Sequence, residues 1–516
     1  MNDQKSDASI VKAAGRGVIY ITFAKAWFLI TGVALGLVLP RVFKWSAGSE
    51  EAGMALYGAY GIVFTGVSFI NNTLITGTIQ AVSKFTSEDE SRAGAVRRTG
   101  LLVQGGIGVV LGAAYAVLSG VLATYWFKSP GLADLMRLSA GIIVAYACYG
   151  VFIGSFNGRR RFNRQAAFDV TFSTLKTVLI ILAVMTGLKV LGTVLGFLVT
   201  AVLVAVVAGV ASRQPVHGTF PARRFLQFDS LLLLYTFILN LVLMLDLYLL
   251  AGIVPRLAAA SGLDATAAAL LNETRAGQYK AVQQLAFIPY QAILAIAFVV
   301  FPLISKATFD EDEEKACGYV RQTMRFAAIF VTGFAVVFFA LPEQAARLMF
   351  PPEYAIIAPA LRTLSLGIVA FGLMVVGNTI LNGSGHPWRA LAVVCAGLAV
   401  AVVTVYALVS AAGHGTDSLV AAASGSSAGW LVALVVCGVI VRRRFGAFMP
   451  LFTALRVAAA AGVALAVGRF LPVKGKVLTL AECAAVFVVY FVVLALLREF
   501  GRKDLDQLKH VMRRGK

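Results

Sequence analysis

Charge, cysteine and histidine are scarce in this 516-residue sequence. Charged residues make up 14% and hydrophobic residues 59%, and the mean hydropathy is +0.84. Too little charge to solvate a globular surface excludes a soluble domain and points to a polytopic, all-α membrane protein. The five cysteines (Cys148, Cys317, Cys395, Cys437, Cys483) are scattered, mostly inside apolar runs. They form neither a disulfide framework nor a metal spacing, the four histidines are equally dispersed, and no metal site is expected. No GxxxxGK[ST] phosphate loop occurs, which argues against direct ATP drive by this chain. No Ser/His/Asp constellation stands out. The longest outer loop, residues 255–280, is under about 30 residues and leaves no room for an extramembrane catalytic domain. The first apolar run is too long for a cleavable signal peptide and lacks a small-residue cleavage motif.

What is present is long apolar runs. Spans of helix-crossing length fall near 17–40, 54–82, 99–126, 132–156, 166–187, 190–211, 229–254, 281–304, 322–342, 356–381, 389–412, 418–441, 450–471 and 477–497, about 14 in all at about 20 residues each. Only Leu188 and Lys189 separate the fifth from the sixth. The net charge of +20 would suggest nucleic acid in a soluble chain. Here the basic residues crowd into alternate loops, with Lys84, Arg92, Arg97 and Arg98, then Arg159 to Arg161, then Arg442 to Arg444, and no nucleic-acid partner is expected. The positive-inside rule puts both termini in the cytoplasm. The tail 498–516 has Leu505, Leu508 and Met512 at helical spacing among basic residues, which suits either a helix on the inner membrane surface or a frayed tail. The acidic run Asp310 to Glu314 reads as charge complement to a helix N-terminus.

The chain repeats itself. Tyr57 with Ser83-Lys84 matches Tyr279 with Ser305-Lys306 at one offset, and both copies enter an acidic loop. Arg137, Ile143-Val144-Ala145, Asn157-Gly158 and Arg164 match Arg362, Ile368-Val369-Ala370, Asn382-Gly383 and Arg389 at a nearby offset. This predicts a six-helix lobe over 1–212, a cytoplasmic linker over 213–228 and a second six-helix lobe over 229–445. An extra helix pair over 446–497 and the basic tail follow. Lobes of even span number share orientation, as in a parallel-repeat transporter.

Polar groups inside the spans mark candidate sites, because an intramembrane charge costs about 2.5–3.5 kcal/mol on insertion scales. Lys25 lies roughly 12 Å into the first span. The second span carries Ser68, Asn72, Thr76 and Gln80 every fourth residue, one helix face that either bonds a neighbouring helix or borders water or a polar ligand. The fifth carries Asp169, Ser173, Lys176 and Thr177; Asp169 either pairs with Arg164 or caps its helix. Asn240 and Asp246 lie in the seventh, Gln283, Gln284, Pro289 and Gln291 in the eighth, and Asn378 and Asn382 in the tenth. Pro289 predicts a kink. Lys25 and Asp246 suit a structural ion pair. They equally suit separate work: Lys25 and Lys176 attracting an anionic head group, and Asp246, with Asp169 as a second candidate, exchanging a proton or sodium ion. The neutral residues Ser68, Asn72, Thr76, Gln80, Asn240, Gln284 and Asn378 would complete the substrate path. No cofactor is expected, and a sodium or proton gradient is the candidate driving force.

Two six-helix lobes, an extra pair, and the stretches Tyr57-Gly58-Ala59-Tyr60, Ala81-Val82-Ser83-Lys84 and Phe156-Asn157-Gly158 resemble the polysaccharide (Wzx-type) flippases of the multidrug/oligosaccharidyl-lipid/polysaccharide exporter superfamily. The resemblance covers nearly the whole chain through short motifs. It implies alternating access around a central cationic cavity and no enzymatic activity. It also implies export of an undecaprenyl-pyrophosphate-linked oligosaccharide across the bacterial inner membrane for surface polysaccharide biosynthesis. The partners implied are that polyprenyl-linked glycan, membrane lipids and polysaccharide polymerase machinery. A lipid II flippase shares the layout, but the arginine-rich first helix associated with that branch is missing. A multidrug antiporter would need an anionic cavity, and a membrane-embedded polymerase would normally show a large outer loop or an acidic catalytic cluster.

Overall fold

The computed structural model describes residues 2–290, 293, 304, 312–471 and 475–499, with side chains except at 2–19, 22 and 476. Every regular element among these residues is helical. The chain divides into two compact units, residues 1–280 and 281–516. The first holds α1 (Asn2–Ala47), α2 (Glu50–Glu88), α3 (Ala93–Val121), α4 (Ala133–Gly158), α5 (Phe162–Ala183), α6 (Lys189–Ala211) and α7 (Ala222–Ala260), and most of α8 (Ala265–Ala286). The second holds α9 (Glu313–Ala340), the short α10 (Pro342–Met349), α11 (Ala358–Gly383), α12 (Pro387–Ala412), α13 (Asp417–Phe445), α14 (Leu451–Arg469) and α15 (Lys476–Leu496).

Among the described residues twelve helical stretches are long and apolar enough to cross a membrane. The difference from the sequence reading has two sources. The stretch Phe162–Ala211 counts once, yet Gly187 and Lys189 take positive φ of 88° and 47° and separate α5 from α6. Beyond Tyr290 the predicted eighth span, with Gln291, lies outside the described residues except at 293 and 304, as do Ser305-Lys306, Asp310-Glu311 and the tail from residue 500. Before that gap α8 stops at Ala286, three residues short of Pro289, where the missing N–H predicts a break.

The helix starts are built locally. Ser49 Oγ accepts from Ala52 N at 3.2 Å, with Glu50 and Glu51 in the first turn of α2. Asp312 does the same for Lys315 N at 2.9 Å before Glu313 and Glu314, so this part of the acidic run caps α9. Two predicted ends move outward. α1 runs through Pro40 to Ala47, and α7 through Pro255 to Ala260. Each proline removes only one ladder bond, and the rest of the helix carries the chain on.

Close helix contacts rest on small residues, as packing between apolar helices requires. In the first unit α2 packs against α1, α3, α4 and α7. A Cβ at Gly108 of α3 would meet Ala147 Cβ at 2.7 Å, and one at Gly154 of α4 would meet Val82 Cβ at 2.8 Å. In the second unit α12 and α13 meet through Gly397, Gly425 and Gly429. The extra pair α14 and α15 packs on α9 through Val457, Ala460, Val486, Tyr490 and Leu494, and Tyr490 Oη donates to Ile329 O at 3.0 Å. Beneath this core Glu499, 1% exposed, accepts from Arg325 Nε at 2.8 Å, Arg456 Nη1 at 3.0 Å and Thr453 Oγ1 at 2.8 Å. Burial alone would raise this carboxyl, but the bonds from Arg325, Thr453 and Arg456 outweigh it and hold Glu499 below the usual carboxylate range.

Candidate functional site

The site in the first unit is built around α2, and two glycines set its geometry. A Cβ at Gly58 would stand 1.7 Å from Glu273 O, and one at Gly277 would stand 2.1 Å from Met54 O. At this point α2 and α8 therefore touch backbone to backbone. Three residues further along α8, Lys280 lies over Gly61 and reaches Thr65 Oγ1 at 3.5 Å. Sequence reading missed Lys280. It sits at the polar edge of an apolar run, and only its neighbour Tyr279 was flagged, through the repeat.

Around the helix from Thr65, Phe64 stacks on Phe197 of α6 with ring centroids 5.8 Å apart. Lys176 of α5 lies 5.3 Å from the Phe197 ring and 4.8 Å from Phe28 of α1. Successive residues point about 100° apart on a helix, so the Lys176 cluster and Lys280 flank α2 on adjoining faces. Among the described residues neither cation forms an ion pair; the Asp246 charge is felt at Lys280.

The predicted stripe on α2 shares this helix. Ser68, Asn72 and Thr76 are half-buried and Gln80 is exposed. Asn72 Nδ2 donates to Asn240 Oδ1 of α7 at 3.4 Å, and Asn240 Nδ2 donates to Thr236 O at 2.7 Å. Among the described residues Ser68, Thr76 and Gln80 form no side-chain hydrogen bond to another helix. Interhelical bonding therefore accounts for one position of the four.

Lys25 does not meet Asp246. Its Nζ is 3.5 Å from Asp169 Oδ2, and its side chain is 54% exposed. Asp169 Oδ1 accepts from Tyr149 Oη at 3.0 Å, so it joins α1, α4 and α5 rather than pairing with Arg164 or capping α5. Trp27 Nε1, donating to Thr174 Oγ1 at 2.8 Å, adds a second tie between α1 and α5. Asp246, 2% exposed, accepts from Tyr279 Oη at 2.7 Å and from Leu247 N at 2.8 Å and so ties α7 to α8. Gln284 and Asn378 belong to the second unit. Asn378 is fully buried there, donates to Met374 Sδ at 3.1 Å and faces Cys437 of α13.

The short motifs meet in space. Ser83 Oγ donates to Asn157 Oδ1 at 2.6 Å, and Asn157 Nδ2 donates to Gln165 Oε1 at 2.7 Å, which clamps the ends of α2 and α4 and the start of α5. A Cβ at Gly158 would come 2.6 Å from Ser83 O, so glycine is needed beside the clamp. No group of three His, Cys, Asp or Glu side chains able to hold a metal occurs among the described residues.

Solved structures of similar fold include the lipid II flippase MurJ in an inward closed conformation, with a TM-score of 0.73 at 13% identity over 93% of this chain and 99% of that one. An inward-facing multidrug resistance MATE family transporter of the MOP superfamily gives 0.62 at 16% identity over 83% and 98%. A MOP superfamily transporter from Pyrococcus furiosus, described by the reverse polarity of its binding pocket, gives 0.57 at 18% over 82% and 95%. An uncharacterized membrane protein of Methanocaldococcus jannaschii is 31% identical over 94 residues, which is 18% of each chain. The long apolar helices make this a multi-pass membrane protein, and its fold is that of these flippases and transporters. A family model described as polysaccharide biosynthesis protein matches residues 54–359, more than half of the sequence, and the chain belongs to that family.

Proposed function

We propose that this protein flips a polyprenyl-pyrophosphate-linked oligosaccharide from the cytoplasmic to the outer leaflet of a bacterial inner membrane, with both termini in the cytoplasm. The glycan is then available to polysaccharide polymerase machinery. The observation that carries the reading is the pair of cations flanking α2. Among the described residues Lys176 is held by rings, and Lys280 by one neutral hydroxyl with the charge of Asp246 nearby; together they suit the charge of a diphosphate. The free hydroxyls and amides of Ser68, Thr76 and Gln80 suit a hydrated sugar chain. A head group of this kind cannot cross about 30 Å of hydrocarbon unaided, and the lipid tail can stay outside. Membership of a polysaccharide biosynthesis family supports the same substrate class. The fold shared with MurJ keeps a lipid II substrate as the second reading, since its head group presents the same diphosphate chemistry.

The test is deletion of the gene with analysis of surface glycan and of lipid-linked intermediates, followed by complementation with Lys176→Gln and Lys280→Gln. Loss of one surface polysaccharide with its lipid-linked repeat unit trapped on the cytoplasmic leaflet is the expected result. Trapped peptidoglycan precursor would establish the second reading. Unchanged glycan with heightened sensitivity to cationic drugs would overturn both.

A further inference from the structure

Asp229 and Gln104 form a polar contact in the interior of the first unit that the cationic site does not use. Both are fully buried, Asp229 in the second turn of α7 and Gln104 midway along α3. Gln104 Nε2 donates to Asp229 Oδ2. The other oxygens of the same two groups, Asp229 Oδ1 and Gln104 Oε1, are buried and have no hydrogen-bond partner among the described residues. The backbone of α2 closes the site from the third side, where a Cβ at Gly77 would stand 2.8 Å from Asp229 Oδ1.

Among the described residues no cation pairs with this carboxyl. On α2, Lys84 lies over the Phe228 ring at 3.9 Å, Glu88 pairs with Arg224 of α7 at 2.8 Å, and Glu50 and Glu51 lie at the opposite end of the helix. On α3, Arg97 donates to Gly209 O and Ser212 Oγ, and Arg98 is exposed; on α7, Arg223 is exposed too. An ionised carboxylate buried without a counter-ion is strongly disfavoured. A single proton resolves both orphan atoms. A protonated acid is one donor and one acceptor, and so is the edge of a primary amide. With the proton on Oδ1, the O–H donates to Gln104 Oε1 while Gln104 Nε2–H donates to Oδ2.

We infer that Asp229 and Gln104 form a protonated acid–amide pair between α7 and α3, and that Asp229 is the proton-binding site coupled to transport. This rests on the transporter reading above only for the coupling. Release breaks the Oδ1–H bond, leaves its electron pair on the carboxylate and passes the proton to water. That requires α3 and α7 to part enough to hydrate the site. The loaded pair therefore favours the closed contact and the unloaded carboxylate favours the open one. The sequence reading looked for this role in Asp246 and Asp169. Both have phenolic hydrogen-bond donors, Tyr279 and Tyr149 respectively.

The test uses the full-length protein in detergent. Infrared difference spectra between wild type and Asp229→Asn at about pH 7 should show a protonated-carboxyl carbonyl band in the wild type only. Asparagine keeps both hydrogen bonds, so this variant should fold. Gln104→Leu should shift that band, because the acid loses its partner. The melting temperature of the wild type should fall more steeply than that of Asp229→Asn as pH rises above the ordinary aspartate value of about 3.9, because the folded pair keeps a proton that the unfolded carboxyl has already released, and the slopes should converge once the folded pair loses it. Identical spectra, or identical pH slopes, would overturn the pair. For the coupling, Asp229→Asn should accumulate normally and lose export, and wild-type export by it would overturn that role. The spectra need no glycan, so their failure would leave the flippase reading standing, and failure of the glycan assay would leave the pair standing.

Discussion

Gly58→Ala tests the crossing that builds the site. The added methyl would stand 1.7 Å from Glu273 O and 2.6 Å from Gly277 N, whereas ordinary contact starts at 3.4 Å. α8 must then withdraw by about 1.7 Å at this point, because the obstructing atoms are backbone and no side chain can turn aside. Overpacking of a core costs about 1–3 kcal/mol, and a backbone-on-backbone clash belongs at the upper end. The same shift carries Lys280, three residues along, away from Thr65. A contact already at 3.5 Å becomes too long to be a hydrogen bond. The variant should therefore lose a few degrees of melting temperature as purified protein and lose glycan export in a complemented deletion strain. Gly61→Ala is the internal control. Its methyl would meet the Lys280 side chain, Cβ and Cγ at 3.2 Å and Cδ at 3.5 Å, and no opposing backbone among those nearest atoms, so the melting temperature should change little. If Gly58→Ala melts like Gly61→Ala, the backbone crossing is not what holds α8 against α2.

Lys280→Gln and Lys176→Gln should each abolish export while the protein still accumulates, and Lys176→Arg should retain part of it because a guanidinium also stacks on rings; normal surface glycan with both Gln variants would remove the cationic site. Asn157→Ala should cost about 1–3 kcal/mol in a melting experiment, since it leaves Ser83 and Gln165 without their partner, and an unchanged melting temperature would make the motif dispensable to the fold. Glu499→Gln should destabilise the second unit at neutral pH. The carboxyl is held below the usual range in the folded state, so its contribution is full above the ordinary glutamate value of about 4.3 and fades as pH falls through the folded value. Wild type and variant should converge in acid, and a difference that grows on acidification would refute the sign.

Much of the fold was legible because hydrocarbon leaves few choices. A run of about 20 apolar residues must be a helix, and the predicted spans other than the eighth coincide with the observed helices to within a few residues at most ends. The short motifs also announced a real contact, since Ser83 and Asn157 meet although 74 residues separate them. Side-chain partnership was not legible. Lys25 and Asp246 lie at matching depths in their spans, and depth is all that sequence gives. Which helices face each other is decided by glycines such as Gly58 and Gly277, and nothing in their spacing says that they touch. Lys280 and Asp229 went unnoticed because each stands at the edge of an apolar run, where a charge reads as a boundary.

Partnership also separates charges that the protein answers from charges that it leaves under-compensated. Lys25 has Asp169 for a counter-ion, and Asp169 has Tyr149, so that cluster is answered from within the protein. Lys176 has two rings. Cation–π contacts at a half-exposed site are worth about 0.5–1 kcal/mol each, against about 2.5–3.5 kcal/mol for placing a cation inside a membrane span. The rings hold the ammonium in place without compensating it, and roughly 1–2 kcal/mol is left over. Lys280 has one neutral hydroxyl at 3.5 Å and feels the charge of Asp246, which answers it in part. An anion entering beside α2 would relieve both deficits together. A ligand shifts a conformational equilibrium only by its differential affinity for the two states. Two under-compensated cations on adjoining faces of one helix supply such a difference, because only the state that admits a diphosphate to both of them gains the full relief.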